Sequence, residues 1–286
     1  MQPGSLETTL ETPVDYHEIA VYAVRTSELT KDFGDFRAVE RLSLAIPRGV
    51  FYGFLGPNGA GKSTTIKMLT GLLAPTYGSI EILGLKMAER PNEVKKHIGV
   101  VPEDMALFDR LTGSEYLVFV GRMYGLARQT AVRRAAELLE FMDLQDEPKK
   151  LIADYSHGMK KKISLASALI HTPKLLFLDE PFEGVDALAA KTMKKTLLSM
   201  IERGATIFLT SHVLDIVERL CSHVGIINHG KLVAQGSLDE LRAGVHTDEY
   251  TESAGEGRKL TLEELFVRIV GGDEPKPEHS LAWLTE

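Results

Sequence analysis

The sequence predicts an α/β fold whose core is a mostly parallel β-sheet. Four short runs are almost entirely apolar and are bounded by turn residues: Val50–Leu55, Ile98–Val101, Leu175–Leu178 and Thr206–Leu209. Near-continuous Val, Ile, Leu and Phe is typical of strands that are buried on both faces of a parallel sheet. A glycine-rich loop and then a helical pattern follow the first run, an order that is typical of parallel α/β folds.

The second and third runs are separated by about 70 residues with helical spacing. Two apolar stripes recur here at intervals of three and four residues: Tyr116, Val120, Met123 and Tyr124, then Ala135, Leu138, Leu139 and Met142. Such stripes face the core in amphipathic helices. We therefore expect a helical insertion at about 104–172.

The two ends of the chain differ from its body. Residues 1–20 are rich in Thr, Glu and Pro without a clear period, so we expect a flexible lead-in before a domain that spans 21–245. Residues 246–286 form an acidic extension, in which 246–258 is predicted to be a mobile loop and Leu260–Val270 a short amphipathic helix. Within the domain, Asn228-His229-Gly230 predicts the turn of a β-hairpin.

Composition and charge exclude several classes of protein. Apolar residues make up 44% of the 286 residues and charged residues 26%, as in ordinary globular proteins. No uncharged stretch exceeds 13 residues, whereas a membrane-spanning helix needs about 20. The net charge is −7, and residues 21–245 carry 29 Lys and Arg against 26 Asp and Glu, so no nucleic-acid partner is expected. The one cysteine, Cys221, cannot form an intrachain disulfide, which suits the cytoplasm.

The strongest motif is a phosphate-binding loop directly after the first apolar run. It matches G-x-x-x-x-G-K-[ST] and comprises Gly56, Pro57, Asn58, Gly59, Ala60, Gly61, Lys62, Ser63 and Thr64. Its glycines let backbone N–H groups approach phosphate oxygens, and the helix that follows adds the positive end of its dipole. Lys62 is predicted to neutralise the β- and γ-phosphates of a nucleotide, and the Ser63 hydroxyl to bind Mg²⁺.

Two adjacent carboxylates, Asp179 and Glu180, follow the third apolar run. Ligands of an open parallel sheet bind at the carboxyl ends of its strands, where these side chains are expected. Asp179 suits a direct or an indirect hold on Mg²⁺, and Glu180 suits a general base for the attacking water. The alternative, two solvated acids at a strand end, is disfavoured by the phosphate loop elsewhere in the chain.

The other two apolar runs also end in polar side chains. Glu103 follows the second run, and His212 follows the fourth. Because parallel strands end at one edge of the sheet, we expect Lys62, Glu103, Glu180 and His212 to share one site.

The order of these motifs resembles that of the ATP-binding subunits of ABC transporters. The phosphate loop resembles their Walker A motif, and Leu175–Glu180 resembles Walker B with its catalytic glutamate. The resemblance implies a P-loop NTPase (RecA-like) core with an antiparallel β subdomain and an inserted helical subdomain. It also implies ATP and Mg²⁺ as ligands, with Ser63, Asp179 and Glu103 at the metal.

Further positions carry the same resemblance. His212 resembles the switch histidine, Asp186 the D-loop aspartate, and Glu103 the Q-loop residue, which is usually Gln. Ser156 and Gly158 match the Ser and the second Gly of the signature motif Leu-Ser-Gly-Gly-Gln. His157 and Met159 differ from that motif. A Pro-Glu Q-loop with a Ser-His-Gly-Met signature looks like the branch that serves drug, polysaccharide, antibiotic and sodium exporters.

The resemblance to ABC transporter subunits also covers an aromatic residue near the start of the predicted domain. Phe33 stands where the family stacks an aromatic ring on adenine. Phe36 is a close competitor for this role, and either ring could instead belong to the core.

The resemblance implies a subunit that hydrolyses ATP to drive a separate transmembrane permease, at the cytoplasmic face of the membrane. Two copies would close head-to-tail on ATP, with Ser156 and Gly158 of one completing the site of the other. A homodimer is favoured because both half-sites look intact, although a paralogous partner stays open. The apolar run Met105–Phe108 is expected to receive a short permease helix, unless it packs the insertion against the sheet.

Other classes of ATPase are disfavoured. An ABC-type ATPase that acts on DNA or ribosomes usually has long coiled coils or two cassettes, and this chain has one cassette and no heptad run. A small GTPase would carry N-K-x-D and D-x-x-G motifs, which do not occur.

Overall fold

The computed structural model describes residues 21–145, 149–244 and 260–271. The lead-in predicted at 1–20 and the mobile loop predicted at 246–258 lie outside these residues. The described strands are β1 (Tyr22–Phe33), β2 (Phe36–Leu42), β3 (Ala45–Pro47), β4 (Phe51–Leu55), β5 (Tyr77–Ile82), β6 (Leu85–Lys86), β7 (Ile98–Val101), β8 (Leu175–Asp179), β9 (Thr206–Thr210), β10 (His223–Asn228) and β11 (Lys231–Ser237). The described α-helices are α1 (Lys62–Leu69), α2 (Pro91–His97), α3 (Gly113–Met123), α4 (Arg128–Phe141), α5 (His157–Leu169), α6 (Ala187–Glu202), α7 (Leu214–Leu220), α8 (Leu238–Gly244) and α9 (Leu262–Gly271).

The four predicted apolar strands form the centre of a six-stranded sheet with the order β11-β10-β4-β9-β8-β7. The strands from β10 to β7 are parallel, and β11 pairs antiparallel with β10 at one edge. The predicted parallel core is therefore confirmed, with strand ends within one residue of those expected. The predicted hairpin turn is confirmed as well, since His229 and Gly230 both have positive φ, as a two-residue type I′ turn requires.

A second, antiparallel sheet covers one face of the parallel sheet. Its order is β2-β1-β5-β6, with β3 also paired to β1. Alternate residues of the central strands turn to this sheet, and the ring of Phe208 lies 5.3–5.6 Å from those of Tyr52, Phe54 and Phe177. The remaining residues of the same strands, such as Leu176 and Leu178, pack on the helices of the other face. Both faces of the central strands are thus buried, which explains their continuous apolar sequence.

Helices α3, α4 and α5 form the predicted insertion between β7 and β8. Tyr116, Ala135 and Met142 of the predicted stripes are buried, but Met123 is 72% exposed, so its place in the core stripe was wrong. The core face of α3 instead passes through Gly121, where an added Cβ would lie 3.1 Å from the Cβ of Ala131. Met123 lies two residues after Gly121, about 200° further round the helix, so its side chain faces solvent.

The predicted C-terminal helix is α9. Its residues Leu262 and Leu265 are fully buried, and Ile269 packs beside them. The helix contacts α7, α8 and β11 at the edge of the sheet that lies opposite the insertion. Among the residues that the structure describes, no helix is both long and apolar enough to cross a membrane.

Candidate functional site

The carboxyl ends of β4, β7, β8 and β9 lead into one cleft of about 520 Å³. The cleft is lined by the phosphate loop, by polar residues that follow the other strands and by two residues of β2: Phe36, Ala38, Asn58, Gly59, Gly61, Lys62, Ser63, Thr64, Glu103, Glu180, Glu183 and His212. The four polar residues expected to share a site, one from each strand, therefore lie together.

The phosphate loop is held by backbone packing that only glycine permits. Gly61 has φ +106°, and an added Cβ would lie 2.6 Å from the carbonyl oxygen of Ala38. Helix α1 begins directly after it, so the N–H groups of the first turn have no carbonyl partner within the helix. Lys62 is buried, and its Nζ donates to the carbonyl oxygens of Gly56 (2.8 Å) and Pro57 (3.2 Å). The loop thus presents free donors and one ammonium group, as a polyphosphate requires.

Asp179 is held at the end of β8 by the hydroxyl of Thr210 on the neighbouring strand. This hydroxyl donates to Asp179 Oδ1 at 2.5 Å and accepts the backbone N–H of Glu180 at 3.2 Å. Both residues are almost fully buried. One β9 side chain therefore fixes the two adjacent carboxylate residues relative to each other.

Glu180 stands in a strained conformation with its carboxylate beside His212. Its φ is +46°, a region that non-glycine residues rarely occupy. Its Oε2 lies 3.0 Å from His212 Nδ1 and accepts the backbone N–H of His212 at 3.3 Å. The Glu180 side chain is 10% exposed and the His212 ring 49%, so the pair spans the wall and the mouth of the cleft.

The oxygen donors of the cleft fit a magnesium ion. Ser63 Oγ lies 3.5 Å from Glu103 Oε2, which places a hydroxyl and a carboxylate side by side. Mg²⁺ prefers such oxygen ligands and keeps several waters, so it needs few protein groups. Among the described residues no cluster of three or more His, Cys, Asp or Glu forms a ready-made metal cage. The hydroxyl of Ser63 and the carboxylate of Glu103 therefore fit an Mg²⁺ ion that takes its remaining ligands from water and phosphate.

The signature and D-loop residues lie next to each other but outside the cleft lining. Ser156 caps α5 by accepting the N–H of Met159 at 3.3 Å, and an added Cβ on Gly158 would lie 3.1 Å from Asp186 Oδ2. Asp186 caps α6 by accepting the N–H groups of Ala189 and Leu188 at 2.9 and 3.0 Å. The hydrogen bond from Ala189 is the main cause of the lowered pKa of Asp186.

The aromatic ring on the cleft wall is Phe36, whereas Phe33 does not belong to the lining. The two residues pair across the β1–β2 turn, and both are exposed, at 63% and 49%. The ring of Phe33 instead lies under the ammonium of Lys31 at 5.2 Å. The structure thus does not place the predicted Phe33 with the other site residues.

Three residues beside the site were missed by the sequence analysis. Thr210 is the buried hydroxyl described above, Glu183 lines the cleft, and Lys161 donates to the carbonyl oxygen of Glu180 at 3.2 Å. Thr210 and Glu183 lie within three residues of predicted ones, so strand-end position alone could have found them. Lys161 has no such signal, because only the fold brings this residue of α5 to the end of β8.

The fold and this cleft define the class of protein, a P-loop NTPase. The chain belongs to the ABC transporter family, whose family model matches residues 39–183. It is 41% identical over 220 residues to the bacitracin transport ATP-binding protein BcrA of Bacillus licheniformis, covering 77% of this chain and 71% of that protein. It is 36% identical over 259 residues to the daunorubicin/doxorubicin resistance ATP-binding protein DrrA of Streptomyces peucetius, covering 88% and 78%.

A solved structure of an ATP binding subunit of an ABC transporter has the same fold. Its TM-score is 0.77 at 31% identity, and the match covers 86% of this chain and 99% of that chain. The family inferred from the motifs is therefore confirmed. These similarities do not favour the alternative of an ATPase that acts on DNA or ribosomes.

Proposed function

We propose that this chain is the ATP-hydrolysing motor subunit of an ABC exporter, located at the cytoplasmic face of the membrane. The observation that carries the proposal is the cleft in which the phosphate loop faces Glu180 and His212. A phosphate cradle alone would suit a nucleotide-binding protein. A buried carboxylate hydrogen-bonded to an imidazole adds the groups that hydrolysis requires.

Each side chain then has a separate role. Lys62 and the N–H groups of α1 hold the β- and γ-phosphates of ATP. Glu180 accepts the proton of the attacking water, and His212 holds the Glu180 carboxylate in place. Ser63, Glu103 and Asp179 would hold Mg²⁺, which when bound neutralises charge on the phosphates.

The adenine contact is assigned to the β1–β2 turn, where Phe33 is the residue expected from the motif and Phe36 is the residue on the cleft wall. Phe33→Ala and Phe36→Ala separate the two. Loss of the stacking ring should raise KM for ATP about tenfold, since base–aromatic stacking contributes about 1–3 kcal/mol. The other variant should leave KM within twofold, so equal effects of both would contradict a single stacking ring.

The second proposed partner is another ATP-binding subunit, most simply a second copy of this chain. Ser156 and Gly158 lie outside the cleft lining that contains Lys62 and Glu180. Ser156 stands at the N-terminus of the 13-residue helix α5, where backbone N–H groups favour an anion. Two copies arranged head-to-tail would bring this helix end to the γ-phosphate bound by the other copy.

The proposed permease contact is the aromatic surface formed by Phe108 and Phe119. Phe108 is 54% exposed, and its ring lies 5.3 Å from Phe119 and 6.1 Å from Tyr116. Leu107 is turned the other way and packs on the core. Large exposed rings of this kind suit an aromatic surface that binds the apolar face of a short permease helix. Phe108 lies five residues after Glu103, so a short segment of chain joins this surface to the nucleotide cleft.

Export of an antibiotic-like compound is the activity proposed for the complete transporter. The relatives described above are named for bacitracin transport and for daunorubicin/doxorubicin resistance. In this arrangement the cargo contacts the permease rather than this chain.

The experiment that tests the proposal is ATP hydrolysis by the purified full chain with Mg²⁺. We expect turnover that saturates with ATP, and strongly weakened ATP binding in Lys62→Ala. Purification of the tagged chain from detergent-solubilised membranes should recover a transmembrane permease in one complex with it. ATP binding without hydrolysis, alone and in that complex, would refute the motor function.

A further inference from the structure

A buried lysine outside the described motifs contacts the backbone of Glu180, the proposed general base. Lys161 lies on α5 and is 2% exposed, and its Nζ donates to the carbonyl oxygen of Glu180 at 3.2 Å. Burying an ammonium group costs several kcal/mol unless charges or hydrogen bonds compensate. Lys160 and Lys162 flank it in the chain, while Gly158 and Leu165, one turn away on the same face of the helix, are buried, so Lys161 belongs to the buried face of α5.

Charge explains why an ammonium group is tolerated there. Four carboxylates, those of Glu183, Glu103, Asp179 and Glu180, interact electrostatically with Lys161. They oppose the effect of burial, which lowers the pKa of the Lys161 ammonium. The lysine therefore lies near the acids rather than among the phosphate-binding groups, and it is not part of the cleft lining.

The backbone that Lys161 contacts is the strained one. Glu180 has φ +46°, and a non-glycine residue keeps such a conformation only when its surroundings hold it. Its N–H donates to the Thr210 hydroxyl, its carboxylate contacts His212, and its carbonyl oxygen accepts from Lys161. The N–H, the carboxylate and the carbonyl oxygen of Glu180 thus each have a partner. These partners come from β9, from the segment after β9 and from α5, respectively.

We propose that Lys161 is a positioning residue that keeps Glu180 in its hydrolytic conformation and ties it to the signature helix. The proposal rests on the proposed function, in which Glu180 is the general base. Lys161 and Ser156 belong to the same helical segment and are five residues apart, about one and a half turns. In the proposed dimer, helix α5 would meet the γ-phosphate bound by the other subunit. The same helix therefore also holds Glu180, the general base of its own subunit.

The test replaces Lys161 by Met, which is unbranched and similar in length but has no charge or donor. We expect kcat for ATP hydrolysis to fall between about 10- and 100-fold, because small misplacement of a catalytic group costs this much, while KM for ATP stays within twofold. Lys161→Gln keeps a neutral donor and should recover most of the lost rate. Hydrogen exchange over residues 179–185 should be faster in Lys161→Met than in the wild type.

The matched control is Lys162→Met. Lys162 is the next residue of α5, is also buried, and lies 3.8 Å from Asp143, so the same change removes a charge that does not contact Glu180. It should leave kcat and the exchange over 179–185 unchanged. Wild-type kcat or wild-type exchange in Lys161→Met would overturn the proposal, as would a Gln variant no more active than the Met variant. An inactive wild type would instead refute the proposed function, and the exchange measurement would still decide the role of Lys161.

Discussion

Replacing Glu180 by Gln removes the proposed base while leaving its surroundings nearly unchanged. One carboxylate oxygen of Glu180 accepts the backbone N–H of His212 at 3.3 Å and lies 3.0 Å from its ring. The amide oxygen of Gln can take the same place, and the two side chains are alike in size. The variant therefore loses proton acceptance rather than geometry.

The expected effect follows from that loss. General base catalysis contributes about 10²–10⁴-fold, so turnover should fall by that factor, or about 2.7–5.4 kcal/mol in the activation barrier. ATP binding should stay within about twofold, because Lys62 and the phosphate loop are untouched. The chain should then form dimers in ATP and Mg²⁺ and separate into monomers in ADP.

The assay combines three measurements on each variant: phosphate release for kcat, equilibrium titration for ATP affinity, and light scattering for mass. Glu140→Gln is the matched control, since Glu140 is an exposed carboxylate of α4 outside the cleft lining. It should behave as the wild type. Near-normal kcat in Glu180→Gln with intact ATP binding would show that another group is the base.

Three further predictions concern the interfaces and the pH dependence of stability. Ser156→Glu places a carboxylate where the γ-phosphate bound by the other subunit is expected. In the Glu180→Gln background it should abolish the ATP-dependent dimer that light scattering detects, while ATP binding to the monomer weakens no more than twofold. A dimer that still forms would show that Ser156 does not lie at the γ-phosphate. Phe108→Ala should reduce recovery of the permease in a pull-down and change Tm by no more than a few degrees, because the ring is half exposed; a large Tm loss with full recovery would make Phe108 a core residue. His171 is stacked on Tyr124 with ring centroids 3.6 Å apart, and burial lowers its pKa below 6.5. As the pH falls, His171 therefore becomes protonated in the unfolded chain before it does so in the folded chain, and its contribution to stability falls below about pH 6.5. Between pH 7.5 and pH 5.5, His171→Phe should lose less Tm than the wild type does. An equal loss of Tm in the two proteins would contradict this.

The parallel sheet was predictable because each central strand is buried on both faces and so carries an unbroken apolar sequence. The same topology brings Lys62, Glu103, Glu180 and His212 to one edge, so their common cleft followed from strand order. The sequence did not decide whether Phe33 or Phe36 lines the cleft. The two residues pair across a two-residue turn, and the alternation of side chains along β2 does not distinguish them.

Other features depend on contacts that no spacing in the sequence reports. Lys161 meets Glu180 because the fold brings α5 to the end of β8, and Met123 faces solvent because it lies on the side of α3 opposite Gly121, which packs on α4. The domain limits at residues 20 and 245 and the roles assigned to the site residues stay predictions.

The position of β7 determines how the insertion is attached to the sheet. This strand is the edge of the six-stranded sheet, and its only strand neighbour in the described structure is β8. The helical insertion leaves from β7 and returns to β8, so both of its covalent attachments lie along one margin of the sheet. The strands β4, β9 and β10, which lie further inside the sheet, have no direct covalent connection to the insertion. Glu103 on the cleft wall and the exposed Phe108 both belong to the first of these two connections, so the chain that leaves the nucleotide cleft is the same chain that enters the insertion.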